Sequence, residues 1–212
     1  ASREEALTAL KSSIFAELGE QLAPQARYIE AIRDALPEDG IFVDELTQIG
    51  YVSRALLPVY SPRTFLSTGY QGTLGAGFPS ALGAKVALPS RPVLSVNGDG
   101  GFMFNVQELA SAVQHGIDVV TVVFNDNAYG NVKRMQEDDY AGRVIASELR
   151  NPDFMQLAES FGVAGARAGS PEELRAEIEQ AFGRAGPSLI EVPIGKLPDP
   201  WGVSLPRTKT RG

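Results

Sequence analysis

The chain of 212 residues contains no cysteine and a single histidine, His115. The first absence removes disulfides, thiolate-bound zinc, iron–sulfur clusters and any cysteine nucleophile. The second leaves a histidine-rich metal site or a Ser-His-Asp triad almost without material. No apolar run approaches the roughly 20 residues of a membrane-spanning helix, and no basic-then-apolar leader opens the sequence. A soluble protein of the cytoplasm, without a membrane partner, is the expectation. Basic residues are also in short supply: 19 Lys+Arg stand against 26 Asp+Glu for a net charge of −7, and only Lys133-Arg134 cluster before the terminal Arg207-Thr208-Lys209. That balance argues against nucleic acid as a partner. An initiator methionine is missing too, and a chain beginning Ala-Ser-Arg-Glu-Glu is expected to be a fragment or a processed product.

What is present reads as a folded domain. Hydrophobic residues make up 43% and charged residues 21%, which leaves disorder unsupported. The length suits one large core. Leu7, Leu10, Ile14 and Leu18 fall on one face of a helix, giving a connector over residues 1–22. From residue 23 to 195 helical and extended patterns alternate, as a doubly wound, mostly parallel α/β sheet with helices on both faces requires.

The extended pieces are Ile41 to Val43, Thr64 to Ser67, Pro92 to Asn97, Ile117 to Phe124, Val163 to Ala168 and Ser188 to Pro193. Between them, helices are expected over Pro24 to Leu36, Ser80 to Leu88, from a capping box at Asn105 and Glu108 to a C-terminal Gly116, after Asn151-Pro152, and after Ser170-Pro171. The stripe of the third is read as Val106, Leu109, Ala110 and Val113. Residues 196–212, with prolines at 198, 200 and 206, read as an irregular arm.

Ligands of open parallel sheets bind beyond the carboxyl ends of the strands. Those ends carry Asp44 to Gln48, Thr68 to Gly77, Gly98 to Gly101 and Asn125 to Gly130. Gly98 and Gly100 flank a carboxylate, a pattern suited to an anion approached by backbone N–H groups and to a cation held by Asp99. An ordinary turn explains Gly-Asp-Gly equally simply. Asp126 lies 126 − 99 = 27 positions further on, the length of one strand-helix-strand unit, so the two acids can share a cation. Asn-Asp-Asn is also a common solvent-facing turn.

Gly98-Asp99-Gly100-Gly101, a helix, the strand Val119 to Phe124 and Asn125-Asp126-Asn127-Ala128-Tyr129-Gly130 together resemble the diphosphate-binding domain of thiamine diphosphate enzymes. The acetolactate synthase and 2-oxoacid decarboxylase group is the most similar. The resemblance extends to Gly72-Thr73-Leu74-Gly75-Ala76-Gly77 and to Asn151-Pro152-Asp153-Phe154. It implies thiamine diphosphate and Mg²⁺ as cofactors, and a reaction that decarboxylates a 2-oxoacid with protonation or carboligation afterwards. It further implies that Asp99, Asp126 and the Ala128 carbonyl hold the metal, with Asp126 where most relatives carry asparagine.

By the same resemblance Gly98, Gly100 and Gly101 meet the diphosphate, Thr47 and Gln48 its far end, and Tyr129 and Gly130 the adjoining wall. Gly72, Thr73 and Leu74 meet the aminopyrimidine, Leu74 wedged beneath the bent cofactor; plain core packing is the other reading of Leu74. No catalytic residue is expected in this chain. The activating glutamate of the family belongs to a pyrimidine-binding domain absent here, and Glu45 is read as a local loop residue. His115 is read as a surface or helix-dipole group. The chain is then inactive alone, completed by that domain or a partner subunit, and associates with copies of itself. Two alternatives stand beside this: a degenerate, non-catalytic module, and a dinucleotide-binding oxidoreductase domain, for which Ser80 stands where the glycine pattern needs Gly.

Overall fold

The computed structural model describes residues 2–69 and 71–203. Their elements are α1 (Arg3–Gln21), α2 (Ala23–Ala35), β1 (Ile41–Val43), α3 (Gln48–Leu56), β2 (Phe65–Leu66), α4 (Gly77–Ala87), β3 (Val93–Gly98), α5 (Asp99–Phe102), α6 (Glu108–Gln114), β4 (Val120–Asn125), α7 (Gly130–Asp138), α8 (Phe154–Phe161), β5 (Ala164–Arg167), α9 (Pro171–Phe182) and β6 (Ser188–Pro193). The six strands form one sheet in the order β2-β1-β3-β4-β6-β5, and every pairing is parallel. The α/β doubly wound fold expected from the alternation is the fold observed.

Alternation within each strand divides the interior into two cores, because successive side chains leave opposite faces. Phe42, Leu94, Val96, Val122, Phe124 and Ile190 join residues of α2, α3 and α9 on one face. Ile41, Val43, Val93, Val123 and Leu189 join Phe78, Phe102, Leu109 and Phe154 on the other. A sheet covered on both faces explains why β4 is buried throughout and reads as a continuous apolar run.

The chain moves from β1 outward to β2, then crosses back so that β3 lies on the other side of β1. The reversal opens a crevice at the carboxyl ends of β1 and β3, where the backbone groups of diverging loops are free to meet a ligand.

Several local expectations differ from what is seen. The Asn105–Glu108 capping box does not form, because the Asn105 amide donates to the Gly75 carbonyl at 2.6 Å and α6 starts at Glu108 without a side-chain cap. Its buried residues are Leu109 and Ala112, while Ala110 and Val113 are exposed. Asp153, rather than Asn151, caps α8. Helices α3, α5 and α7 were not expected at all. In α1 a capping box links Ser2 and Glu5, but of the supposed apolar face Leu7 and Leu10 are exposed and only Leu18 is buried. Residues 196–203 form no helix or strand; 204–212, the rest of the expected arm, lie outside the described residues. No described helix is long and apolar enough to cross a membrane.

Burial decides the cost of a truncation. Ile32→Ala, at a fully buried site on α2, should cost about 2–5 kcal/mol in urea unfolding, whereas Leu10→Ala on exposed α1 should stay within about 0.5 kcal/mol.

Candidate functional site

Pairing of β3 with β4 sets Gly98 opposite Phe124, so the loops that follow emerge side by side. They open, with the loop after β1, onto a cavity of about 250 Å³. Every residue expected at the cofactor lines it except Thr73, which is exposed one position from Gly72. Leu74 is half-buried and lines the cavity. Leu46, Tyr51, Asn131 and Val132 complete the wall and were not anticipated.

Asp99 begins the helical turn α5 and is almost wholly buried. Burial, reinforced by the charge of Asp126, pushes its carboxyl up to about 6, against the opposing donation from Asn151. Asn151 also donates to Asn125 Oδ1 at 2.9 Å, bridging the ends of β3 and β4. Asp126 is raised by burial as well, and the Gln48 amide opposes that rise with a bond of 2.7 Å to Oδ2. Its other oxygen accepts the Ala128 N–H at 3.2 Å. Asn127 sits at φ 55°, which an Asn tolerates in a tight turn, and its N–H is held by Asn125 Oδ1 at 3.1 Å.

Glycine is required where these loops touch. A Cβ on Gly101 would lie 1.8 Å from Glu45 Oε1, and one on Gly130 would lie 2.5 Å from Asp126 Oδ2.

Glu45 is no solvent-facing loop residue. It is fully buried, and its two oxygens accept the Gly75 N–H at 2.7 Å and the Gly77 N–H at 3.1 Å. Burial raises its pKa while those two bonds oppose the rise. The glutamate thus fastens the Gly72–Gly77 loop, from 30 positions away, to the end of β1. Gln48, expected at a ligand, has both ends of its amide engaged within the protein: Nε2 with Asp126, and Oε1 with the Leu197 N–H at 2.9 Å. Thr47 precedes α3 without making a capping bond, and its side chain lies beside Gly98. His115 is exposed at the C-terminal end of α6, away from the cavity, followed by Gly116 at φ 58°.

Two acids and several glycines thus gather beyond the carboxyl ends of the strands, an arrangement whose chemistry could hold a phosphate and a cation. The family described as thiamine pyrophosphate enzyme, C-terminal TPP binding domain, matches residues 47–192, and the chain belongs to it. The acetolactate synthase large subunit of Haemophilus influenzae is 42% identical over 126 residues, covering 59% of this chain and 22% of that protein. A probable 2-ketoarginine decarboxylase of Pseudomonas aeruginosa is 36% identical over 186 residues, covering 84% of this chain and 32% of the relative. Among solved structures, the thiamine diphosphate-dependent 4-hydroxybenzoylformate decarboxylase of Rhodococcus jostii superposes with a TM-score of 0.76 at 28% identity, over 82% of this chain and 33% of that one. This chain therefore spans between a fifth and a third of the length of these relatives. The dinucleotide-binding alternative gives way to this family; Ser80 lies within α4.

The raised pKa of Asp99 carries a sign. An ordinary aspartate at 3.8 in the unfolded chain and about 6 in the folded one costs stability progressively as pH rises through that window, and fully above it. Without divalent cation, Asp99→Asn should stabilise the domain by on the order of 1 kcal/mol at pH 8 and by almost nothing near pH 3, below the unfolded value. Urea unfolding at the two pH values checks this.

Proposed function

We propose that the chain is the diphosphate- and Mg²⁺-holding domain of a thiamine diphosphate-dependent 2-oxoacid decarboxylase or carboligase resembling acetolactate synthase. The observation that carries this reading is the convergence of Asp99 and Asp126 on one glycine-walled cavity. Their hard carboxylate oxygens suit Mg²⁺, and the Ala128 carbonyl adds a third protein ligand. Among the described residues no group of three or more His, Asp or Glu could hold a metal by itself. A cation here is thus left with positions for ligand oxygens and water, as a bridge between protein and diphosphate needs.

In this reading Gly98, Gly100 and Gly101 bring backbone N–H groups to the diphosphate, and Thr47 adds its hydroxyl. Gly72 and Leu74 line the thiazolium and aminopyrimidine end, with Thr73 supporting them from the outside. Tyr129 and Gly130 close the wall beneath α7. When bound, the cofactor supplies the electron sink for loss of CO₂ from a 2-oxoacid. The protein's part is to hold a doubly charged tail in a fixed place and to keep two acids ionised against a cation. Glu45 does not serve as the activating acid, since both its oxygens are occupied by backbone N–H groups. That role falls to a pyrimidine-binding domain or partner subunit.

Association with that domain and with further copies of the chain is supported by exposed Val132 beside the cavity and by exposed Met135 and Ile145 on the same stretch of chain. A cytoplasmic location accords with the absence of cysteine. Retention of both acids and of the flanking glycines disfavours a degenerate module, because clustered like charges without a cation only cost stability.

Calorimetric titration tests the reading. Thiamine diphosphate should bind in the presence of Mg²⁺, lose binding in EDTA and in Asp99→Ala, and weaken as pH falls through about 6, where protons compete for Asp99. No heat with Mg²⁺, or binding indifferent to Asp99→Ala, would refute it.

A further inference from the structure

Beyond β6 the chain runs without helix or strand, yet it is tied down at many points. The Ile194 N–H donates to the Asn125 carbonyl at 2.9 Å, and the Lys196 ammonium meets Glu137 at 2.7 Å. Gln25, fully buried in α2, donates to the Pro198 carbonyl at 2.7 Å. Asp199 pairs with Arg134 at 3.0 Å. Trp201 meets Tyr51 edge-on at 5.1 Å, and its indole N–H donates to Asn131 at 3.2 Å. Tyr51 and Asn131 are themselves part of the cavity wall.

Gln48 joins this arm to the site. Its Oε1 accepts the Leu197 N–H at 2.9 Å, and its Nε2 donates to Asp126 Oδ2 at 2.7 Å and more weakly to the Gly195 carbonyl at 3.4 Å. The amide has one workable orientation: turned round, it would set donor against donor at Leu197 and acceptor against acceptor at Asp126. Gln48 is buried at the start of α3, so its reach to both partners is fixed by the helix.

We propose that Gln48 is a positioning residue that couples docking of the 194–201 arm to the placement of the Asp126 carboxylate, so that arm docking and binding of a divalent cation with a diphosphate strengthen one another. The inference rests on the reading of Asp126 as a cation ligand. Where the arm is docked, the Gln48 amide holds Oδ2 while Oδ1 accepts the Ala128 N–H, and the carboxylate is fixed in the cavity wall. Where the arm is released, Gln48 loses the Leu197 partner that sets its amide orientation, the amide can turn, and its hold on Asp126 Oδ2 weakens. Coupling of this kind is reciprocal by thermodynamic necessity.

The chain has one tryptophan, Trp201, so its emission reports arm docking directly, and trypsin cleavage after exposed Lys196 reports it independently. In ligand-free protein, Gln48→Glu sets a second carboxylate against Asp126. It should change the intensity of Trp201 emission, as the indole leaves Tyr51 and Asn131, and speed cleavage about tenfold. Combining Gln48→Glu with Asp126→Asn exchanges donor and acceptor while still offering an oxygen to the Leu197 N–H; it should return cleavage and emission toward the unsubstituted protein. Unchanged cleavage in Gln48→Glu, or a double variant as labile as Gln48→Glu, overturns the proposal.

The unsubstituted protein supplies a second measurement that no folding defect can confuse. Mg²⁺ with thiamine diphosphate should slow cleavage after Lys196 about tenfold, and binding without any change in the arm overturns the coupling. Failure of Mg²⁺ and thiamine diphosphate to bind at all tells instead against the proposed function, and the donor-exchange comparison, made without ligand, then decides alone whether Gln48 ties the arm to Asp126.

Discussion

The parallel hydrogen bonding of β3 to β4 is the constraint on which the rest depends. It fixes Gly98 against Phe124, and with them the two loops whose acids share a cavity. Two buried carboxylates at such close quarters are unfavourable by themselves: both are raised by burial, and Asp99 feels the charge of Asp126 as well. The fold accepts that cost because the strands on either side are locked by apolar cores on both faces. Amide donors from Asn151 and Gln48 partly offset it. Stability is held in the sheet, and electrostatic tension is left at its end, where the cation of the proposed function would relieve it.

Around those acids the loops are supported by side chains that never reach the cavity. Glu45 holds two amides of the glycine-rich loop, and Asn105 holds the Gly75 carbonyl. Gly101 and Gly130 let backbone pass where any Cβ would strike Glu45 or Asp126. Glycine thus has two uses in the candidate site: some positions keep the cavity open, and others must admit a neighbouring side chain. Gly72 and Gly75, at φ 59° and 82°, have a third use, turning the chain through a region open mainly to glycine.

Much of this was legible in the sequence. Strands buried on both faces must be apolar runs, so β1, β3, β4 and β6 announced themselves, and Gly-Asp-Gly with Asn-Asp-Asn one unit later pointed to two loops that line one cavity. Helices α3 and α7 were not legible, since neither begins with a side-chain cap and α7 is polar, with Arg134 its one buried residue. The supporting contacts were hidden for a different reason. Glu45 and Gly75 are 30 positions apart, Asn151 and Asp99 52, Gln48 and Asp126 78, and Gln48 and Leu197 149. No local pattern encodes such pairs, and Asn105 even imitated a cap while bonding elsewhere. Asn151 had a faint signal in the Asn151-Pro152-Asp153-Phe154 stretch, though nothing in it pointed to Asp99.

The strand order bears on how the molecule assembles. β6, the last of the described strands, lies between β4 and β5, so Val120 must find Ser188 across 188 − 120 = 68 positions, and among the described strands β5 has no other neighbour. Closing loops of that length is entropically slow, and parallel pairings of this kind belong to the sluggish end of folding rates. During synthesis the half-built sheet therefore presents an open edge at β4 until nearly the whole domain has left the ribosome, a window in which another chain's edge strand could pair there first.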